Sequence, residues 1–211
     1  MLLDLLFPTR SLTGREGEWV TMEELSALHV EPVILRTHRL RSMGLHALDR
    51  VVAAGSYDDL PLLRPAIHTF KYRRIGLFAQ PLGLLMSEAS HRGWTDMPPV
   101  LCPVPLHWTR RFQRGFNQAD LLARAIAGDR QCSVVPLLRR TRSTGHQAWR
   151  AREERFRAIE GSFTIRSSAT VPSSVVLVDD LLTTGATMDA CAAALKKAGA
   201  TRVEGLVLAL G

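Results

Sequence analysis

Asp179 and Asp180 stand between a β-branched apolar run at residues 175–178 and a turn of small and hydroxylated residues, Thr183, Thr184, Gly185, Ala186 and Thr187. Like charges this close raise one another's pKa unless something cationic or hydroxylated compensates them. The hydroxyls of a ribose are donors of that kind. The turn opens a helix expected over residues 188–198, so its N–H groups lie at a helix amino terminus, where the dipole and the unpaired donors favour an anion. Gly185 lets backbone approach a phosphate with no Cβ in the way. An acid pair followed by an anion cradle is the chemistry of a site for a phosphorylated sugar. Taken singly, the same residues could be a solvated strand end and a threonine cap; their order points to the ligand.

A second phosphate-binding element is written at Cys102-Pro103-Val104-Pro105-Leu106-His107. Its two prolines fix φ and remove donors, which ends a strand expected over residues 100–104 in a rigid turn. Arg110, Arg111 and Arg114 follow closely and offer planar guanidinium groups to phosphate. Asn117 stands at the start of a helix expected over 117–127 and reads either as its cap, with Phe116 in the core, or as a ligand contact. Farther on, Thr144, Gly145, His146, Gln147, Trp149 and Arg155 mix a glycine hinge with charge. That stretch is either a lid over a phosphorylated ligand or a charged surface helix.

The elements that must position these residues alternate. Two helices are expected around a basic turn at 71–74, then strands at 100–104, 134–138, 175–178 and 203–208, with helices over 117–127, 148–159 and 188–198 between them. Such alternation specifies an α/β fold, a mostly parallel sheet with helices on both faces. In open parallel sheets the ligand crevice lies beyond the carboxyl ends of the strands, which brings the 103–107 loop and the 179–187 segment to one pocket. At 211 residues, 46% of them apolar, the chain suffices for one such domain and a small amino-terminal lobe. Residues 1–56 read as that irregular lobe, and residues 57–211 as the main domain.

The net charge of +7 is concentrated: residues 110–157 hold twelve arginines against four acids. Arginine supplies 24 of the 27 basic residues, which favours polyanionic ligands. The aromatic residues Phe112, Phe116, Trp149 and Phe156 are interleaved with that charge, a pattern compatible with single-stranded nucleic acid. The three cysteines, Cys102, Cys132 and Cys191, suggest neither a disulfide framework nor a cysteine metal site, which fits a reducing cytoplasm. No export signal or membrane span is expected.

Residues 175–187 closely resemble the phosphoribosyl diphosphate (PRPP) motif of type I phosphoribosyltransferases. The resemblance implies that Asp179 and Asp180 hold the ribose 2′ and 3′ hydroxyls, that Thr183 to Thr187 hold the 5′-phosphate, and that Val104, Pro105, Leu106 and His107, with the nearby arginines, hold the diphosphate. The ordered set of Leu5-Leu-Phe-Pro8, Ala66-Ile-His-Thr-Phe-Lys-Tyr72, the Pro103 to His107 loop, Arg114-Gly-Phe-Asn-Gln-Ala119, the 144–155 stretch and the PRPP motif is similar to the ComF family, which is associated with DNA uptake in natural competence. That family implies a type I phosphoribosyltransferase fold, PRPP with Mg²⁺, transfer to an acceptor that no residue here identifies, and competence helicase or recombination proteins as partners. A single-stranded DNA factor with PRPP as regulatory ligand and a nucleobase-salvage enzyme are the alternatives.

Members of the family carry two C-x-x-C pairs for a structural zinc soon after the Leu-Phe-Pro string. Here no cysteine precedes Cys102, and His29, His38 and His46 lack paired spacing. No zinc is therefore expected, and packing is expected to hold the amino-terminal lobe.

Overall fold

The computed structural model describes residues 11–16, 20–72, 78–106, 115–141, 159 and 161–211. Its centre is a six-stranded sheet built from β1 (Val33–Arg36), β2 (Arg50–Ser56), β3 (Val100–Pro103), β4 (Ser133–Val134), β7 (Ser174–Leu182) and β8 (Arg202–Leu210), in the order β1-β2-β8-β7-β3-β4. Only β1 runs antiparallel to its neighbour; every other pairing is parallel. A separate hairpin joins β5 (Leu138–Arg140) to β6 (Phe163–Ile165).

Val175 to Val178 make the central strand because successive side chains point to opposite faces and all four are apolar. Val176 and Val178 enter one core, with Leu206, Leu208, Phe70, Leu82, Met86, Leu122 and Ile126. Val175 and Leu177 enter the other, with Val203, Val207, Leu40, Leu45, Met188, Cys191 and Leu195. The first core is roofed by α3 (Leu63–Tyr72), α4 (Ala79–Gly93) and α5 (Gln118–Arg130), the second by α6 (Ala186–Lys197) and the short α2 (Thr37–Ser42). The short helix α1 (Met22–Ala27) precedes β1. This is the expected α/β architecture, helices covering a mostly parallel sheet on both sides.

Three expectations are corrected. The amino-terminal stretch does not stand apart as a lobe, because β1 and β2 belong to the central sheet and β2 lies inside it, between β1 and β8. Its Val51-Val52-Ala53-Ala54 run is fully buried. The strand expected over 134–138 divides in two: β4 pairs with β3, Pro136 interrupts with no N–H to donate, and β5 leaves to form the hairpin. Packing is also not all that orders the start of the chain. The buried Glu24 carboxylate accepts from Ser11 Oγ at 2.7 Å, Thr13 N at 2.6 Å, Thr13 Oγ1 at 2.7 Å and Thr21 N at 2.8 Å, tying residues 11–13 to α1. Burial works to raise the Glu24 pKa, but these donors outweigh it and hold it at about 2. The turn at 143–146 and most of the charged helix expected over 148–159 lie outside the described residues.

Candidate functional site

β7 carries both acids and is longer than the apolar run alone implies. Asp179 and Asp180 lie inside the strand, which continues to Leu182. β3 stops at Pro103, opposite Val178, while β7 runs on beside β8, so both acids lie beyond the end of β3. Asp180 is buried and Asp179 half-buried. Asp179 Oδ1 accepts from the backbone N–H of Asp180 at 2.9 Å, which orients its carboxylate.

The strand then passes through Thr183 and Thr184 into α6. Gly185 is the amino-terminal cap residue of that helix, at φ +77°. Glycine is required twice over: the left-handed backbone disfavours a side chain, and a Cβ would lie 2.6 Å from Leu45 Cδ1. The first intrahelical bond runs from Asp189 N–H to Gly185 O at 2.9 Å, so the N–H groups of Ala186, Thr187 and Met188 precede it. Ala186 N–H reaches Thr184 Oγ1 only at 3.5 Å. Thr183 is exposed and Thr184 and Thr187 half-buried, which leaves hydroxyls and amides around one helix end. The arrangement can hold a phosphate.

Asp189, in the first turn of the same helix, would oppose an anion if its charge faced the loop. Instead its carboxylate accepts from His46 N at 3.1 Å, Ala47 N at 2.8 Å and Leu48 N at 3.0 Å. These bonds clamp residues 45–48 against α6 and seat Leu45 behind Gly185. The sequence carries no local signal for this role, since the partners lie more than a hundred residues apart.

The second loop approaches from β3. Val104 N–H donates to Val178 O at 2.9 Å, directly before the acid pair, and Val104 is buried. Asn117 caps α5 by accepting from Ala119 N at 3.2 Å and donates through Nδ2 to Val104 O at 3.1 Å. One side chain thus starts the helix and pins the loop. Phe116 packs on Phe70, ring centroids 5.8 Å apart, in keeping with the core reading of that residue. Pro105 and Leu106 then border a cleft of about 540 Å³ that Arg124, Arg139, Arg140 and Arg166 also line. His107, Arg110, Arg111 and Arg114, and the residues Thr144, Gly145, His146, Gln147 and Arg155 read as either a lid or a surface helix, lie outside the described residues.

Lys71, which the sequence reading quotes in the Ala66 to Tyr72 string but gives no role, meets the acid pair. In the last turn of α3, its Nζ lies 2.7 Å from Asp180 Oδ1. Burial works against its charge, but Asp180 and then Asp179 outweigh burial and raise its pKa above the ordinary value. Tyr57 stands in the same nest, its phenol raised chiefly by burial, with the Arg64 guanidinium 5.9 Å over its ring. Cys102, just before the loop, is fully buried, and burial pushes its thiol up to about 11.

The phosphoribosyl transferase domain family matches residues 119–211, which contain β7, the 183–185 turn and α6. DNA utilization protein YhgH of Escherichia coli K12 is 33% identical over 152 residues, 70% of this chain and 66% of that protein. The YhgH protein of Salmonella typhimurium is 31% identical over 160 residues, 74% of this chain and 69% of its own length. Competence protein F of Haemophilus influenzae is 29% identical over 166 residues, 74% of this chain and 70% of that protein. The chain thus spans slightly less than two thirds of the length of the first of these relatives.

Proposed function

Since the chain belongs to the ComF family of phosphoribosyltransferase-like proteins, we propose that it binds PRPP at the crevice formed by Asp179, Asp180 and the residues 183–187 turn. One observation carries the reading: a single strand delivers two acids into a glycine-opened helix amino terminus, while the Val104 loop is hydrogen-bonded to Val178 beside them. The acids accept from the ribose hydroxyls, and the turn takes the 5′-phosphate. The loop of Val104, Pro105, Leu106 and His107, with Arg110, Arg111 and Arg114, receives the diphosphate.

An oxygen-rich ligand of this kind suits Mg²⁺, held chiefly by diphosphate and ribose oxygens. The metal would supply neutralisation of the diphosphate charge. The acids fit such a ligand because Lys71 already offsets one of them. In a transfer reaction the two carboxylates would orient the sugar and favour positive charge at its C1. An acceptor with a nitrogen nucleophile completes that reading.

Calorimetric titration with PRPP and Mg²⁺ tests the proposal. Asp179→Asn with Asp180→Asn should abolish binding with the fold retained; wild-type affinity in that double variant would refute it. Product formation across a panel of bases and amines then separates an enzyme from a ligand sensor.

A second reading, single-stranded DNA binding, is favoured by the arginine-lined cleft beside Pro105 and Leu106. Counterion release makes such binding fall steeply with salt. DNA affinity that is flat between low and moderate salt would reject it.

A further inference from the structure

The two acids are unequally placed, and one basic residue makes them so. Lys71 and Asp180 side chains retain only 16% and 9% exposure, and the ammonium sits on a single carboxylate oxygen at 2.7 Å. An ammonium fixed on one carboxylate oxygen sets the plane in which the other oxygen can accept from a hydroxyl. We propose that Lys71 is a positioning residue of the sugar site, holding Asp180 oriented through Oδ1 so that its other oxygen accepts from the ribose diol. The inference rests on the ribose reading of the acid pair.

The choice of cation supports it. Only three of the 27 basic residues are lysine, and the other two, Lys196 and Lys197, lie in the last turn of α6, away from the acid pair. An arginine fork at position 71 would tend to engage both carboxylate oxygens, whereas an ammonium is a point donor and leaves one free to accept. Lys71 is also fixed from behind. It lies in the last turn of α3, where the helix dipole favours a cation, and Tyr57, with the Arg64 guanidinium over its ring, adds to the electrostatic support of its charge. Tyr57 itself is seated at the sheet: its backbone N–H donates to Leu210 O at 3.0 Å, at the end of β8.

Titrations of the full chain with ribose 5-phosphate and with inorganic phosphate test the role, because only the first ligand has the diol. Lys71→Met should weaken ribose 5-phosphate by about tenfold or more while inorganic phosphate changes less than about twofold. Lys71→Arg should restore thermal stability but only part of the sugar affinity. In an Asp180→Asn background, Lys71→Met should cost no further sugar affinity, since its target is gone. Should Lys71→Met fail to fold, Lys71→Arg and the double variant with Asp180→Asn, which removes both charges, give the same answer. Undiminished sugar affinity in Lys71→Met, full sugar affinity in Lys71→Arg, or a Lys71→Met loss that persists in the Asp180→Asn background overturns the inference. If Asp179→Asn loses ribose 5-phosphate while Lys71→Met does not, only the role of Lys71 falls. If wild type and Asp179→Asn bind it equally, the PRPP reading falls and takes this inference with it.

Discussion

Gly185 is where local backbone and long-range packing impose the same demand. Gly185→Ala must place a Cβ at φ +77° and push it into Leu45, so a loss of about 2–4 kcal/mol is expected from the left-handed penalty and overpacking together. The denaturation midpoint measures it; a midpoint equal to wild type would mean that the loop relaxes freely. Glu24 gives a prediction in pH. Its folded pKa, held at about 2, lies below the unfolded value of 4.5, so the unfolded chain binds protons first as acid is added. Its stabilisation is complete above about pH 4.5 and declines as pH falls towards 2. Stability curves of wild type and Glu24→Gln should converge in that window, and parallel curves would show that the hydrogen bonds do not depend on the charge.

Among the elements, α5 and β3 depend on each other through Asn117. Asn117→Ala removes the helix cap and the donor to Val104 O, with an expected loss of about 1–2 kcal/mol. Asn117→Ser keeps a capping acceptor, adds no charge and shortens the side chain that reaches Val104 O. If that variant matches wild type in stability but binds diphosphate ligands more weakly, Asn117 acts on the loop as well as on the helix; equal binding would confine it to the cap. The cap itself was legible, because Asn before an amphipathic run is a local signal. The division of the 134–138 strand was legible only in part: Pro136 marks the break, but nothing local says that β5 turns away to pair with β6, twenty-five residues on between Arg139 and Thr164.

The molecule as a whole gathers its candidate site from Leu45, Lys71, Val104, Asp180 and Gly185, contributed by well-separated parts of the chain. A ligand bridging them should stabilise the entire fold. At a PRPP concentration one hundred times its dissociation constant, the gain is about 2.7 kcal/mol, readable as an upward shift in thermal midpoint. No shift at saturating PRPP with Mg²⁺ would argue against the site. No helix among the described residues is long and apolar enough to cross a membrane.

By itself the sequence determined the class of fold, the order of the chemical elements and the acid pair with the small-residue turn that opens a helix, because periodicity, proline and glycine chemistry and capping act over a few residues. Only the tertiary structure decided that β1 and β2 join the sheet, that Asp189 clamps residues 45–48 behind Gly185, and that Lys71 meets Asp180. The physical reason is the same in each case. Hydrogen bonds and ion pairs between residues a hundred or more positions apart leave no periodic trace in the chain, and they exist only once packing has brought the partners within a few ångströms.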